Sequence, residues 1–182
     1  LSLKPTQVLK KYEIKINQKG QVEHYDIGEH GEGLAFSQVN NTVNEHLVKQ
    51  TVSIIKSLVS ADFSGLFTEL YAGAGNFTFA LNQVLPKMRI EAVELNHRLT
   101  QAAAEVVKLK KLIKLVTFFT TKVENFALHH TLSQDIVLLD PPRSGCLPEV
   151  IQQLGEKQPR HIVYISCHPT MLVRDLALLM KL

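Results

Sequence analysis

The sequence predicts an α/β domain built on a doubly wound, mostly parallel sheet, preceded by a small β-rich segment. Three observations carry that prediction. From Leu66 onward five short apolar stretches recur, each followed by a segment of helical character. The stretches are nearly continuous in apolar residues, as strands covered on both faces are. Strand–helix alternation of this kind implies a parallel sheet with right-handed crossovers. The division falls between residues 1–38, β-rich, and residues 39–182, the α/β domain.

Taken in order, Tyr12–Ile16 alternates, Asn17-Gln18-Lys19-Gly20 reads as a turn, and Val22–Ile27 reads as a second strand, which together predict a hairpin. Gly28, Gly31 and Gly33 punctuate a loop before Leu34–Ser37. Asn40 or Asn41 is placed to cap a helix running to about Ser60, with Val43, Leu47, Val48, Val52, Ile55 and Val59 at helical spacing. The five core strands are expected at Leu66–Tyr71, Arg89–Val93, Ile113–Phe118, Ile136–Leu139 and His161–Ile165, in the spatial order 3-2-1-4-5. Helices are expected near 77–84, 96–109, 122–129, 147–155 and 170–181.

Composition narrows the class. The chain has 182 residues and 45% hydrophobic content, enough for one domain that buries about 70% of its unfolded surface. It holds no apolar run of the ~18 residues a membrane span requires, and Lys4, Lys10 and Lys11 are not followed by the apolar stretch of a signal peptide. Cys146 and Cys167 lie in different segments, which argues for a reducing, cytoplasmic setting rather than a disulfide framework. No Cys/His cluster has metal-ligand spacing, and His129–His130 is an isolated pair, so no metal is expected. A net charge of +3 permits a nucleic-acid partner without demanding one. The densest basic stretch, Lys108, Lys110, Lys111 and Lys114, reads first as a solvated helix end. Oligomeric state leaves no trace in the sequence.

The first core strand runs into Glu69-Leu70-Tyr71-Ala72-Gly73-Ala74-Gly75-Asn76-Phe77. Gly73 and Gly75 let the backbone turn tightly and leave room for a ligand over the strand's carboxyl end. The third glycine of a dinucleotide fingerprint is absent, since Thr78 stands there, which argues against a pyrophosphate cofactor. Glu94 ends the next strand, where a carboxylate accepts hydrogen bonds from ribose hydroxyls. A ribose-bearing cofactor without pyrophosphate fits S-adenosyl-L-methionine. The plainer alternative is a tight turn beside a surface acid.

The fourth strand runs into Asp140-Pro141-Pro142-Arg143-Ser144-Gly145, so Asp140 emerges from a buried strand beside the cofactor crevice. Amino-methyltransferases place an aromatic residue where Arg143 stands, which counts against exocyclic-amine chemistry. The fifth strand runs into Ser166-Cys167-His168-Pro169. Pro169 suits the first turn of a helix, which puts Cys167 at a helix N-terminus, a setting that favours the thiolate. A buried core cysteine is the competing reading for Cys167 taken alone. Cys146 lacks such a setting and reads as structural.

Phe36-Ser37-Gln38-Val39-Asn40, Leu70–Phe77, Asp140–Gly145 and Ser166–Pro169 occur in that order. This series resembles the motifs of the RNA (uracil-5-)-methyltransferase family, which modifies tRNA or rRNA, and the resemblance covers about residues 34–182. It implies a Rossmann-like S-adenosyl-L-methionine-dependent methyltransferase fold and an RNA substrate. It implies that Cys167 adds to uracil C6, that Asp140 contacts the target uracil and the cofactor side, and that Gln38 contacts cofactor or base. Tyr71, Gly73, Gly75, Asn76 and Glu94 would hold the cofactor. The family usually has Asn where His168 stands, and often Asp where Glu69 stands and Cys where Ala72 stands. Its general base is a Glu beyond the cysteine motif, past Leu182, as are the closing strands, and residues 1–33 match only part of its central domain. Both ends look cut, so the sequence reads as a fragment. Two other classes remain open at this stage: an RNA- or cofactor-binding module without turnover, and an amino-methyltransferase acting on DNA or protein.

Overall fold

The computed structural model describes residues 6–9, 12–16, 22–27, 41–130, 132 and 135–182. Three N-terminal strands, Thr6–Leu9 (β1), Tyr12–Ile16 (β2) and Val22–Ile27 (β3), form an antiparallel sheet in the order β1-β2-β3. The expected hairpin is β2 and β3, with Tyr12 opposite Ile27 and a register shift between Lys15 and Ile16. The expected turn at 17–20, the glycines at 28, 31 and 33, and the motif at Phe36–Asn40 that includes Gln38 lie outside the described residues.

From Asn41 the chain alternates as anticipated. The elements are Asn41–Leu58 (α1), Leu66–Leu70 (β4), Asn76–Val84 (α2), Arg89–Glu94 (β5), His97–Leu109 (α3), Val116–Thr120 (β6) and Val123–His129 (α4). There follow Ile136–Leu139 (β7), Pro148–Lys157 (α5), His161–Tyr164 (β8) and Pro169–Leu179 (α6). The five strands β4 to β8 form one sheet in the order β6-β5-β4-β7-β8, and every neighbouring pair is parallel. That is the order 3-2-1-4-5 expected from the sequence, and it places the chain reversal between β4 and β7, where ligands bind in doubly wound sheets.

The strand alternation sorts the core into two layers. Ile136 and Leu138 point to one face, where they meet Phe67, Leu81, Met88, Ile90 and Val106. Val137 and Leu139 point to the other, against Leu70, Val93, Phe126, Val150 and Leu154. All four β7 residues are fully buried, which explains why that strand is uniformly apolar rather than alternating. Each such side chain contributes about 1.5–3 kcal/mol by leaving water.

One element begins later than its apolar pattern indicated. Ile113 was expected in a strand, but the strand starts at Val116. Lys111 adopts φ 57, and the N–H of Leu112 returns to the carbonyl of Val107 at 2.9 Å, closing α3 with a left-handed cap. The chain is still turning at Ile113, which is 68% exposed.

Candidate active site

The carboxyl ends of β4, β5, β7 and β8 carry the residues singled out in the sequence. The loop after β4 is built by backbone conformations that ordinary residues avoid. Tyr71, Gly73 and Gly75 have φ of 65, 57 and 90. At Gly75, which caps α2, a Cβ would stand 2.8 Å from the rings of both Phe118 and Phe79, so only glycine fits. Gly73 is different: a Cβ there would meet nothing within 4 Å. Its backbone is bare toward open space, which is the opening a ligand over the strand end requires.

Glu94 organises this loop. Its Oε2 accepts from the N–H of Gly73 at 2.9 Å and its Oε1 from the N–H of Asn96 at 2.8 Å. Asn96 in turn caps α3, its side chain accepting from the N–H of Arg98 at 3.0 Å. Glu94 is half-buried and keeps lone pairs for a ligand. Asn76 opens α2, and its amide pairs with that of Asn44 on α1 at 2.8 and 3.4 Å. Tyr71 turns into the layer under α4 and α5, where its hydroxyl is in hydrogen-bonding contact with the Cys146 thiol. Burial first, then that contact, drives the Tyr71 hydroxyl well above its ordinary range.

Three carboxylates gather here. Asp140 follows β7 directly, its N–H bonded to the carbonyl of Leu70 at 3.4 Å, and burial pushes its carboxyl up to about 6. Glu69 is buried within β4, and its Oε2 accepts from the hydroxyl of Thr78 at 2.5 Å. Burial pushes Glu69 up to about 8, the Thr78 bonds oppose the rise, and the nearby charges of Asp140 and Glu94 add to it. Its Oε1 has no hydrogen-bond partner. With Glu69 holding its proton near neutrality, the acids that can meet a positively charged ligand beside the open loop backbone are Glu94 and Asp140.

Cys167 lies beyond β8 and is exposed, whereas Cys146 is buried. The N–H of Ile165 bonds to the carbonyl of Leu139 at 2.8 Å, so the segments leading to Asp140 and Cys167 leave the sheet side by side. His168 caps α6 and Pro169 occupies its first turn. The Ser166 hydroxyl accepts from the N–H of His168 at 3.0 Å and donates to its carbonyl at 3.1 Å, which shapes the Cys167 turn. Two hollows flank the edge strand β6, but neither is lined by Gly73, Glu94, Asp140 or Cys167. Among the described residues no group of three or more His, Cys, Asp or Glu is placed to hold a metal ion, and no helix is long and apolar enough to cross a membrane.

A family model described as tRNA (uracil-5-)-methyltransferase matches residues 7–182. The chain belongs to that family. An uncharacterized RNA methyltransferase of Bdellovibrio bacteriovorus is 37% identical over 174 residues, covering 92% of this chain and 41% of the relative. The 23S rRNA (uracil(1939)-C(5))-methyltransferase RlmD of Acinetobacter baumannii is 34% identical over 151 residues, covering 81% of this chain and 32% of the relative. The chain thus spans less than half the length of these relatives. The solved tRNA (uracil-54, C5)-methyltransferase of Pyrococcus abyssi, in complex with S-adenosyl-L-homocysteine, superposes with a TM-score of 0.64 at 22% identity, over 88% of this chain and 40% of that one. That likeness carries the fold: a Rossmann-like methyltransferase sheet.

Within this member of the family, sequence reasoning overlooked several contacts that build the site. Thr78 and Asn44 are the partners of Glu69 and Asn76. Arg174 and Asp175 bind the segment after Asp140. A signal did exist: Glu69 is an acid inside an apolar strand, and Arg174-Asp175 is a charged pair interrupting an apolar helical stretch. Buried charges of this kind require partners.

Proposed function

We propose that this chain transfers a methyl group from S-adenosyl-L-methionine to C5 of a uridine in tRNA or rRNA, with Cys167 as the nucleophile. The observation that carries the reading is the emergence of Asp140 and the exposed Cys167 from the adjacent parallel strands β7 and β8, on the side of the sheet where Gly73 and Glu94 lie. The family and the printed activities of its relatives support uracil C5 as the target. Residues 1–38 are assigned to an RNA-contacting segment and 39–182 to the methyltransferase domain. The two free thiols accord with a reducing, cytoplasmic setting.

The cofactor fits the residues present: the open backbone at Gly73 and the carboxylate of Glu94 suit a ribose, and Asp140 suits a positive charge beside it. Tyr71, Gly75, Asn76, Asp140 and Gln38 complete the assigned set. When bound, the cofactor supplies an electrophilic methyl on a sulfonium.

The chemistry needs a covalent step because uracil C5 is a poor nucleophile. The Cys167 thiolate adds to C6, forming a C–S bond and pushing the ring's electrons onto C5 and the O4 carbonyl. C5 then takes the methyl group. Removal of the C5 proton by a base lets the thiolate leave and restores the ring. Asp140, with its carboxyl raised to about 6, is part-protonated near neutrality and can donate to a ring carbonyl or accept from N3–H. The target base must leave its stack to reach these groups.

The test uses tRNA and rRNA fragments containing 5-fluorouridine, with S-adenosyl-L-methionine and intact-protein mass spectrometry. Fluorine at C5 cannot leave as a proton, so the expected product is a methylated adduct on Cys167, absent in Cys167→Ala. An adduct mapped elsewhere, or turnover of ordinary RNA undiminished by Cys167→Ala, sinks the assignment. Which RNA is trapped identifies the substrate class.

A further inference from the structure

We infer that Arg174 and Asp175 are positioning residues that use α6 as a strut to hold the Asp140 segment in register with Cys167. The inference rests on the function proposed above and names the device that fixes the spacing of its two principal groups.

Asp175 is buried, with 1% of its surface exposed. Its Oδ2 accepts from the N–H of Cys146 at 2.8 Å and from the hydroxyl of Tyr164 at 2.5 Å. Its Oδ1 accepts from Arg174 Nε at 2.8 Å and from an Arg174 terminal nitrogen at 2.7 Å. That same nitrogen donates to the carbonyls of Ser144 and Cys146 at 3.1 and 2.9 Å. Burial alone would raise the Asp175 carboxyl, but the bonds from Tyr164, Cys146 and Arg174 outweigh it and hold the carboxyl below the usual range. A buried charge with every oxygen engaged is rigid, because losing any one partner strands the charge.

The grip falls on the segment that begins at Asp140. Pro141 and Pro142 stiffen its first part. The N–H of Gly145 bonds to the carbonyl of Pro142 at 2.9 Å, closing a turn. Gly145 itself has φ 76, and a Cβ there would stand 2.6 Å from Arg174 and 2.7 Å from Asp175, so the turn is seated directly on the pair. From Asp140 to Cys146 little rotational freedom remains, and the far end is clamped to α6.

The other end of the strut is Cys167. Arg174 and Asp175 lie seven and eight residues after it, in the second turn of the helix that starts at Pro169, roughly 8–9 Å down its axis. The Ser166–His168 turn and the first turns of α6 therefore join the thiol to the clamp, and the clamp joins it to the Asp140 segment. Tyr164 ties the same carboxylate to the end of β8, from which Cys167 departs. Slippage here would move the nucleophile against the group facing the base without disturbing Gly73 and Glu94, which hang from β4 and β5.

The experiment compares Asp175→Asn, Arg174→Gln and Arg174→Lys with the unsubstituted protein at its natural length. Three quantities are measured: the rate of adduct formation with 5-fluorouridine RNA, the dissociation constant of S-adenosyl-L-methionine by calorimetry, and the alkylation rates of both thiols by peptide mass spectrometry. The expected result is a fall in adduct rate of about 10²-fold, the cost of misplacing reacting groups by an ångström. Cofactor affinity is expected to stay roughly within threefold, because Gly73 and Glu94 bond to each other from β4 and β5 and touch neither Arg174 nor Asp175; Tyr71 and Asp140, which adjoin the clamp, account for what loss there is. Cys146 becomes alkylatable, and the Cys167 alkylation rate is unchanged. Arg174→Lys restores the charge opposite Asp175 and most of the melting temperature but not the adduct rate, because an ammonium lacks the second bond from Nε and the rigid planar fork that aims the terminal nitrogen at both carbonyls. Parental adduct rates in Asp175→Asn, or equal losses in adduct rate and cofactor affinity, overturn the inference. An unsubstituted protein that forms no adduct overturns the function on which it rests, and the inference with it. The two failures differ, because the clamp's own failure leaves the parental adduct in place.

Discussion

The carboxylate of Glu94 accepts the N–H of Gly73 at 2.9 Å, so the acid ending β5 holds the tip of the loop that follows β4. The two residues are 21 positions apart, and the bond crosses between adjacent parallel strands. Glu94 thus shapes the loop before any ligand arrives.

Glu94→Ala is expected to weaken S-adenosyl-L-methionine binding by about 1–3 kcal/mol, the scale of hydrogen bonds to a charged group. Part of that loss comes from the freed Gly73 and Asn96 amides. Calorimetry giving an unchanged affinity would remove Glu94 from the site.

The Asn44–Asn76 amide pair joins α1 to the first turn of α2. Asn44→Ala and Asn76→Ala are each expected to destabilise the fold, with a coupling of about 0.5–1.5 kcal/mol in a double-mutant cycle by denaturant unfolding. Additive effects would show that the pair contributes nothing as a pair. A role for Asn76 toward the cofactor would appear separately, as an affinity loss in Asn76→Ala that Asn44→Ala does not reproduce.

Glu69 makes stability depend on pH in an unusual direction for an acid. Burial raises its carboxyl from the ordinary 4.5 to about 8. The folded chain therefore keeps a proton that the unfolded chain releases above 4.5. Its contribution is fully present below 4.5 and is lost as pH rises through about 8. Melting temperature is expected to fall between pH 6 and pH 9 more steeply in the parent than in Glu69→Gln, which keeps an acceptor for Thr78 and cannot ionise. Parallel curves for the two proteins would refute a raised Glu69.

The continuous apolar runs and the helical patterns located β4, β5, β7, β8 and all six helices to within a residue or two, because a strand covered on both faces must be apolar at nearly every position. Val137 and Leu138 illustrate this, buried on opposite faces of one strand. The same logic placed Asp140, Glu94 and Cys167 at strand ends, since a polar residue that closes an apolar run marks where a strand leaves the core. It failed at Ile113, where an apolar residue was carried out to the surface by the left-handed turn at Lys111. Local pattern records which residues avoid water; it does not record which distant groups meet. The bonds between Glu69 and Thr78, Asn44 and Asn76, and Asp175 and Cys146 follow from how helices dock on the sheet, at separations of 9, 32 and 29 residues. An acid in an apolar stretch announces that it has a partner, and the packing of β4 on α2, and of α6 on the Asp140 segment, names the partner because only those donors reach it.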